Sequence, residues 1–160
     1  MSRRIISVVC LCIALAAAAG AQAQSVSDAD NAMHAMDMRM RALNTARKTL
    51  AQIGRYRDAQ EADAVRVITD ADVSVFSAAV KVFTVAFMIT GMKCPDDIHF
   101  TQKQFGVVVN SFLSTADAEL PRVNDSLPKL ATPGALAQAS SVHEAIVELR
   151  DFLRPFAIEN

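Results

Sequence analysis

The sequence predicts an all-α fold, a bundle of four main helices with a proline-rich crossing between helices 3 and 4. A central stretch from Asp63 to Met92 carries a wide apolar arc beside a narrow polar edge. Three further segments repeat apolar residues at steps of three and four, and no stretch alternates long enough to read as a strand.

In the central helix Asp63, Arg66, Asp70, Ser74, Ser77, Lys81 and Thr84 stack along one edge. Opposite them Val65, Ile68, Val75, Phe76, Ala79, Val82, Phe83, Ala86 and Phe87 form an arc that neighbouring helices must cover. The same stretch is long enough to span a bilayer. Lys81 falls mid-span, where insertion costs about 2.5–3.5 kcal/mol for a lysine. The polar edge continues through Asp70, Arg66 and Asp63, which suits water along one side better than lipid all round. No stable membrane insertion is expected.

Helix 1 is expected from about Asp28 to Ile53, ending near Gly54, with Met33, Met36, Met40, Leu43, Leu50 and Ile53 on its inner face. Arg47 interrupts that face, and Asp72 falls inside the central helix's apolar arc. Antiparallel packing brings the two to similar heights, so a partly buried ion pair is expected, with a structural role in setting register. Gly91 to Asp97 then breaks the chain. Thr101 is expected to open helix 3, with Gln104 completing a capping box. Phe105, Val108, Val109, Phe112, Leu113 and Ala116 make its buried stripe, and Asn110, Ser114 and Asp117 face away. Pro121 should interrupt this helix. Pro121, Pro128 and Pro133-Gly134 mark residues 121–134 as a turn-rich crossing with one short helix carrying Val123 and Leu127. Helix 4 runs to about Leu153, with Val142, Ile146, Leu149, Phe152 and Leu153 inward and Ser141 and Glu144 as an internal pair or a second capping box. Pro155 ends it.

Residues 1–23 have the form of a secretory signal peptide: Arg3 and Arg4, an apolar run from Ile5 to Ala19, then Ala21-Gln22-Ala23. Residues 24–160 are then one helical domain of about 137 residues, enough for a single core. Removing Arg3 and Arg4 lowers the basic count from 16 to 14 against 17 acids, without basic blocks, which argues against nucleic acid as a partner. Cys10 and Cys12 leave with the leader, so Cys94 has no intramolecular partner. It is either buried and inert or paired with another chain as an intermolecular disulfide, which leaves a homodimer open.

Candidate chemistry is sparse. Met33, His34, Met36, Met38 and Met40 form a dense run of soft donors that suits Cu(I). Three of the four methionines fall on the expected core stripe, and Met38 and His34 are read as lying on different faces, so the cluster stands only as an alternative metal site. A haem between a helix-1 methionine and His143 is excluded by the opposite ends those residues occupy in an up-down bundle. No cofactor is expected. His34, His99 and His143 are dispersed, with no zincin spacing, phosphate loop or nucleophile elbow, so no catalytic residue is assigned. Asp96, Asp97 and His99 cluster beside Cys94 and read better as a polar loop capping a helix start than as a Cys–His nucleophile. With Lys93 they are the candidate partner-binding residues, with the 121–134 crossing as the alternative surface, because recognition usually sits on loops held by a rigid frame.

The run Thr101-x-x-Gln104-Phe105-x-x-Val108-Val109-x-x-Phe112-Leu113, shortly after Cys94-Pro95 and preceded by Phe87-Met88-Ile89-Thr90-Gly91, resembles the Rap/Tai-type immunity proteins of type VI secretion systems. The resemblance covers roughly residues 83–115. It implies a small exported helical protein that binds a peptidoglycan amidase toxin in the periplasm and blocks its active site. The second cysteine that such proteins pair with the one at position 94 is absent, and their closing Phe-Pro-Cys has no counterpart beyond Phe152 to Phe156. No family binding residue is therefore carried over. The expected function is a non-enzymatic inhibitor of a cell-wall-degrading toxin, with a metal-handling bundle or a general helical adaptor or chaperone as alternatives.

Overall fold

The computed structural model describes residues 31, 33–91 and 95–158, and of residues 90 and 95–102 the backbone alone. The architecture is all-α, with four main helices: α1 (33–51), α2 (Ala59–Gly91), α3 (Pro95–Ser126) and α4 (Pro133–Leu153). Short 3-10 turns at Leu127–Lys129 and Arg154–Phe156 follow α3 and α4. The described residues contain no strand.

A seven-residue repeat sets the packing. Met36, Leu43 and Leu50 recur on α1, Ile68, Val75, Val82 and Ile89 on α2, and Val109, Ala116 and Val123 on α3, all essentially buried. On α4 two such rows run side by side, Ala135–Val142–Leu149 and Ala139–Ile146–Leu153. A sustained heptad keeps each apolar seam against its neighbours and favours a left-handed bundle. α2 has a second row, Val65, Asp72, Ala79 and Ala86, in which one core position is a carboxylate.

The polar edge of α2 lies outward: Asp63, Arg66, Asp70, Ser77, Lys81 and Thr84 are exposed and Ser74 is half-buried. α2 nonetheless has the length and composition to cross a membrane over Ala59–Ile89, with a mean hydropathy of 1.8 and 33% of its most apolar window buried. Phe87 departs from the expected arc. It is 63% exposed, with Met88 beside it at 53%, because it stands one heptad after the exposed Val80 on the outward side of α2, while Ala86 and Ile89 in the same turns face the core.

Boundaries differ from the sequence expectation where a local signal is overridden. α2 begins four residues before Asp63, because Asp58 caps it by accepting the Glu61 N–H at 2.9 Å. α3 begins at Pro95, not Thr101, since a proline suits a first helical position. Thr101 and Gln104 are then positions inside the helix and not at its start. Pro121 does not stop α3. Leu120 and Val123 on either side of it are buried, and that packing offsets the backbone hydrogen bond the proline removes. Val123 thus belongs to α3, Leu127 to the 3-10 turn, and the crossing between α3 and α4 shrinks to residues 127–132. α4 begins at Pro133, well ahead of Ser141 and Glu144. α1 ends at 51, where the N–H groups of Gln52 and Ile53 tighten the last turn by donating to the Thr49 and Leu50 carbonyls. The expected leader at 1–23 and residues 24–30 lie outside the described residues.

The chain's end is strapped to α3. Asn110, expected to face away, is half-buried and donates its side-chain amide to the Ile158 carbonyl at 2.9 Å while accepting the Ile158 N–H at 3.2 Å. One turn earlier, a Cβ on Gly106 would collide with the Ile158 side chain. Phe156 meets Phe105 edge-on, with ring centroids 5.9 Å apart, and Phe152 at 5.8 Å. Arg39 of α1 stacks its guanidinium 4.6 Å over the Phe152 ring, tying the first helix to the last.

Candidate functional site

Among the described residues two carboxylates are fully buried, and they are held in opposite ways. Glu61, in the first turn of α2, accepts from the backbone N–H groups of Arg57, Ala131 and Thr132 and from the Thr132 hydroxyl. The distances are 2.5, 2.8, 2.6 and 2.9 Å. Thr132 precedes α4 but makes no side-chain cap of its own. The carboxylate of α2 therefore supplies the acceptor at the start of α4, where backbone donors and the helix dipole favour negative charge. Those donors, Thr132 foremost, pull the Glu61 carboxyl down to about 2 against the cost of burial.

Asp72 has the reverse environment. Arg47 brings Nε to 3.3 Å from one of its oxygens, yet neither oxygen makes a hydrogen bond. Burial pushes the Asp72 carboxyl up to about 7, and Arg47 only partly offsets it. The Arg47 guanidinium is shared: Nη2 donates to Asn44 at 2.8 Å, and the Phe76 ring lies 5.6 Å away. The two residues come together at one height of α1 and α2. They sit in a core row, with no second acid paired to Arg47 among the described residues.

The methionine run is dispersed by α1. Met36 is completely buried, Met33 and Met40 pack partly buried against the core, and Met38 is 60% exposed. His34 is also exposed and stands one turn from Met38, so these two share a face instead of lying on different ones. An open groove of ≈ 450 Å³ runs along Asn31, Met33, His34, Asp37 and Phe83. It gathers one histidine and one thioether, and among the described residues no cluster of three His, Cys, Asp or Glu could hold a metal ion. Lys93 and Cys94 lie outside the described residues. The backbone of Asp96, Asp97 and His99 is in the first turns of α3, where a loop was expected, and their side chains also lie outside the description.

The surface next to that segment is described. Phe87 and Met88 sit exposed on the last turns of α2, just before residues 92–94 and the start of α3. Exposed large apolar side chains at the end of a long helix suit contact with a macromolecule better than chemistry on a small molecule.

Sequence reasoning missed Glu61 and the Gly106–Asn110–Ile158 strap. For Glu61 a signal existed: Asp58-x-x-Glu61 directly before an apolar run has the capping-box form. The strap joins positions 48 residues apart, and no local pattern announces it. No protein-family model, curated protein or solved structure matches this chain.

Proposed function

We propose that the chain is an exported helical binding protein that works by occluding a protein partner, and that the partner is a cell-wall amidase-type toxin. The observation that carries the reading is the exposure of Phe87 and Met88 at the α2–α3 end. That end continues into residues 93–99 and lies within the stretch that resembles Rap/Tai-type immunity proteins. α2 ends at Gly91 and α3 starts at Pro95, and these helices, 33 and 32 residues long, give that end a frame anchored by the heptad core. Binding would bury the two side chains and place Lys93, Asp96, Asp97 and His99 against the rim of the toxin's cleft. The protein contributes shape and no reacting group.

The test is co-purification of the periplasmic protein with mass spectrometry of whatever accompanies it, followed by a peptidoglycan-hydrolysis assay on that partner. The reading expects a cell-wall amidase that the purified protein inhibits, with inhibition weakened by Phe87→Asp together with Met88→Asp. Recovery of a copper or silver ion in place of a protein would favour the metal-handling alternative. An amidase that stays fully active in excess protein would sink the proposal.

A further inference from the structure

The outward edge of α2 is not uniformly polar. Val73 and Val80 stand on it 46% and 41% exposed, one heptad apart. At about 100° per residue they line one side of the Ser77 position, and Asp70 and Lys81 line the other. Arg66 serves both Asp63 at 2.7 Å and Asp70 at 3.5 Å, which leaves that end of the edge with one net negative charge. Lys81 has no ion-pair partner among the described residues.

This pattern is self-complementary. A twofold axis relating two antiparallel α2 helices brings each side of the face against the same side of the other copy. In the register that sets Val80 of one protomer on Val73 of its partner, the reciprocal valine pair forms at the same time. Lys81 of each protomer then lies within a turn of Asp70 of the other. The small side chains of Ser74 and Ser77 let the helices approach closely between those points. A lipid surface would cover the valines but strand Asp70 and Lys81 among them. A second copy covers the valines and pairs the charges in one step.

We propose that this face of α2 is a homodimer interface, two copies of the chain pairing antiparallel through Val73 and Val80 with Lys81 of each beside Asp70 of the other. The Val73–Val80 row continues one heptad on to Phe87, so the interface adjoins the α2–α3 end, but it needs neither Phe87 nor the toxin reading. It is also independent of Cys94.

Sedimentation equilibrium of the exported chain, with and without Cys94→Ser, provides the test. A dimer is expected in both cases. Lys81→Asp or Asp70→Lys alone should weaken association on the order of tenfold, and the double exchange should recover most of it. Circular dichroism of each variant checks folding, which exposed positions should preserve. In the Cys94→Ser background, mixing Val73→Cys chains with Val80→Cys chains should give mixed disulfides in excess over either self-pair. A monomer at every concentration, a dimer lost with Cys94→Ser, or a dimer indifferent to both charge changes would overturn the proposal. So would capture of the chain by phosphatidylglycerol vesicles in place of self-association.

Discussion

Glu61 and Asp72 are both carboxylates without exposure, yet they bend stability in opposite directions with pH. The Glu61 carboxyl sits at about 2 in the folded chain against an ordinary 4.5. Its contribution is therefore present above pH 4.5 and is lost as pH falls toward 2. Asp72 sits at about 7 against an ordinary 3.8, so over that interval the folded chain holds a proton that the unfolded chain has released. Its effect is to lower stability progressively as pH rises from about 4 to 7. Together they place the stability maximum near pH 4–5. Melting followed by circular dichroism across pH 3 to 8 should show that maximum, and Asp72→Asn should flatten its alkaline side. Glu61→Gln should lower the melting temperature by several degrees at pH 7, because Gln cannot accept from all four donors, and should remove the acid limb.

At the scale of elements, α3 carries a proline that its packing overrules. Pro121 is exposed and denies the helix one backbone hydrogen bond, while nothing in its side chain is needed by the core. Pro121→Ala should raise unfolding free energy by about 1–3 kcal/mol, read by urea titration. The strap is the converse case, where a small residue is required. Gly106→Leu should displace Ile158, and Asn110→Ala should remove both bonds to it. Either change should raise amide hydrogen exchange in 154–158 and leave α2 protected. These two elements also show what a sequence conveys. The inner faces of all four helices were legible because burial repeats at fixed local steps, from Met36–Leu43–Leu50 to Val142–Ile146–Leu149. Arg47 and Asp72 were legible as polar breaks in those steps. Helix ends were not, because Pro95, Pro121 and Thr101 each send a local signal whose outcome depends on distant contacts.

For the whole molecule, one helix decides between two descriptions. α2 has the apolar length of a membrane span, yet its outward edge carries Asp63, Arg66, Asp70 and Lys81, and its dry face is covered by three neighbours. The site was less legible than the fold for a physical reason. Binding surfaces of this kind are defined by what protrudes at a helix end, and Phe87 reads as core because it stands one turn after the half-buried Phe83, although it also falls one heptad after the exposed Val80. The proposed role needs a molecule that diffuses after export and meets another macromolecule. The most direct measurement is fractionation of cells expressing the full 160-residue chain, with an alkaline carbonate wash of the membranes and intact-mass analysis of the product. A mature chain lacking residues 1–23 in the soluble periplasmic fraction is the expected result. An uncleaved chain that stays with the washed membrane pellet would contradict it.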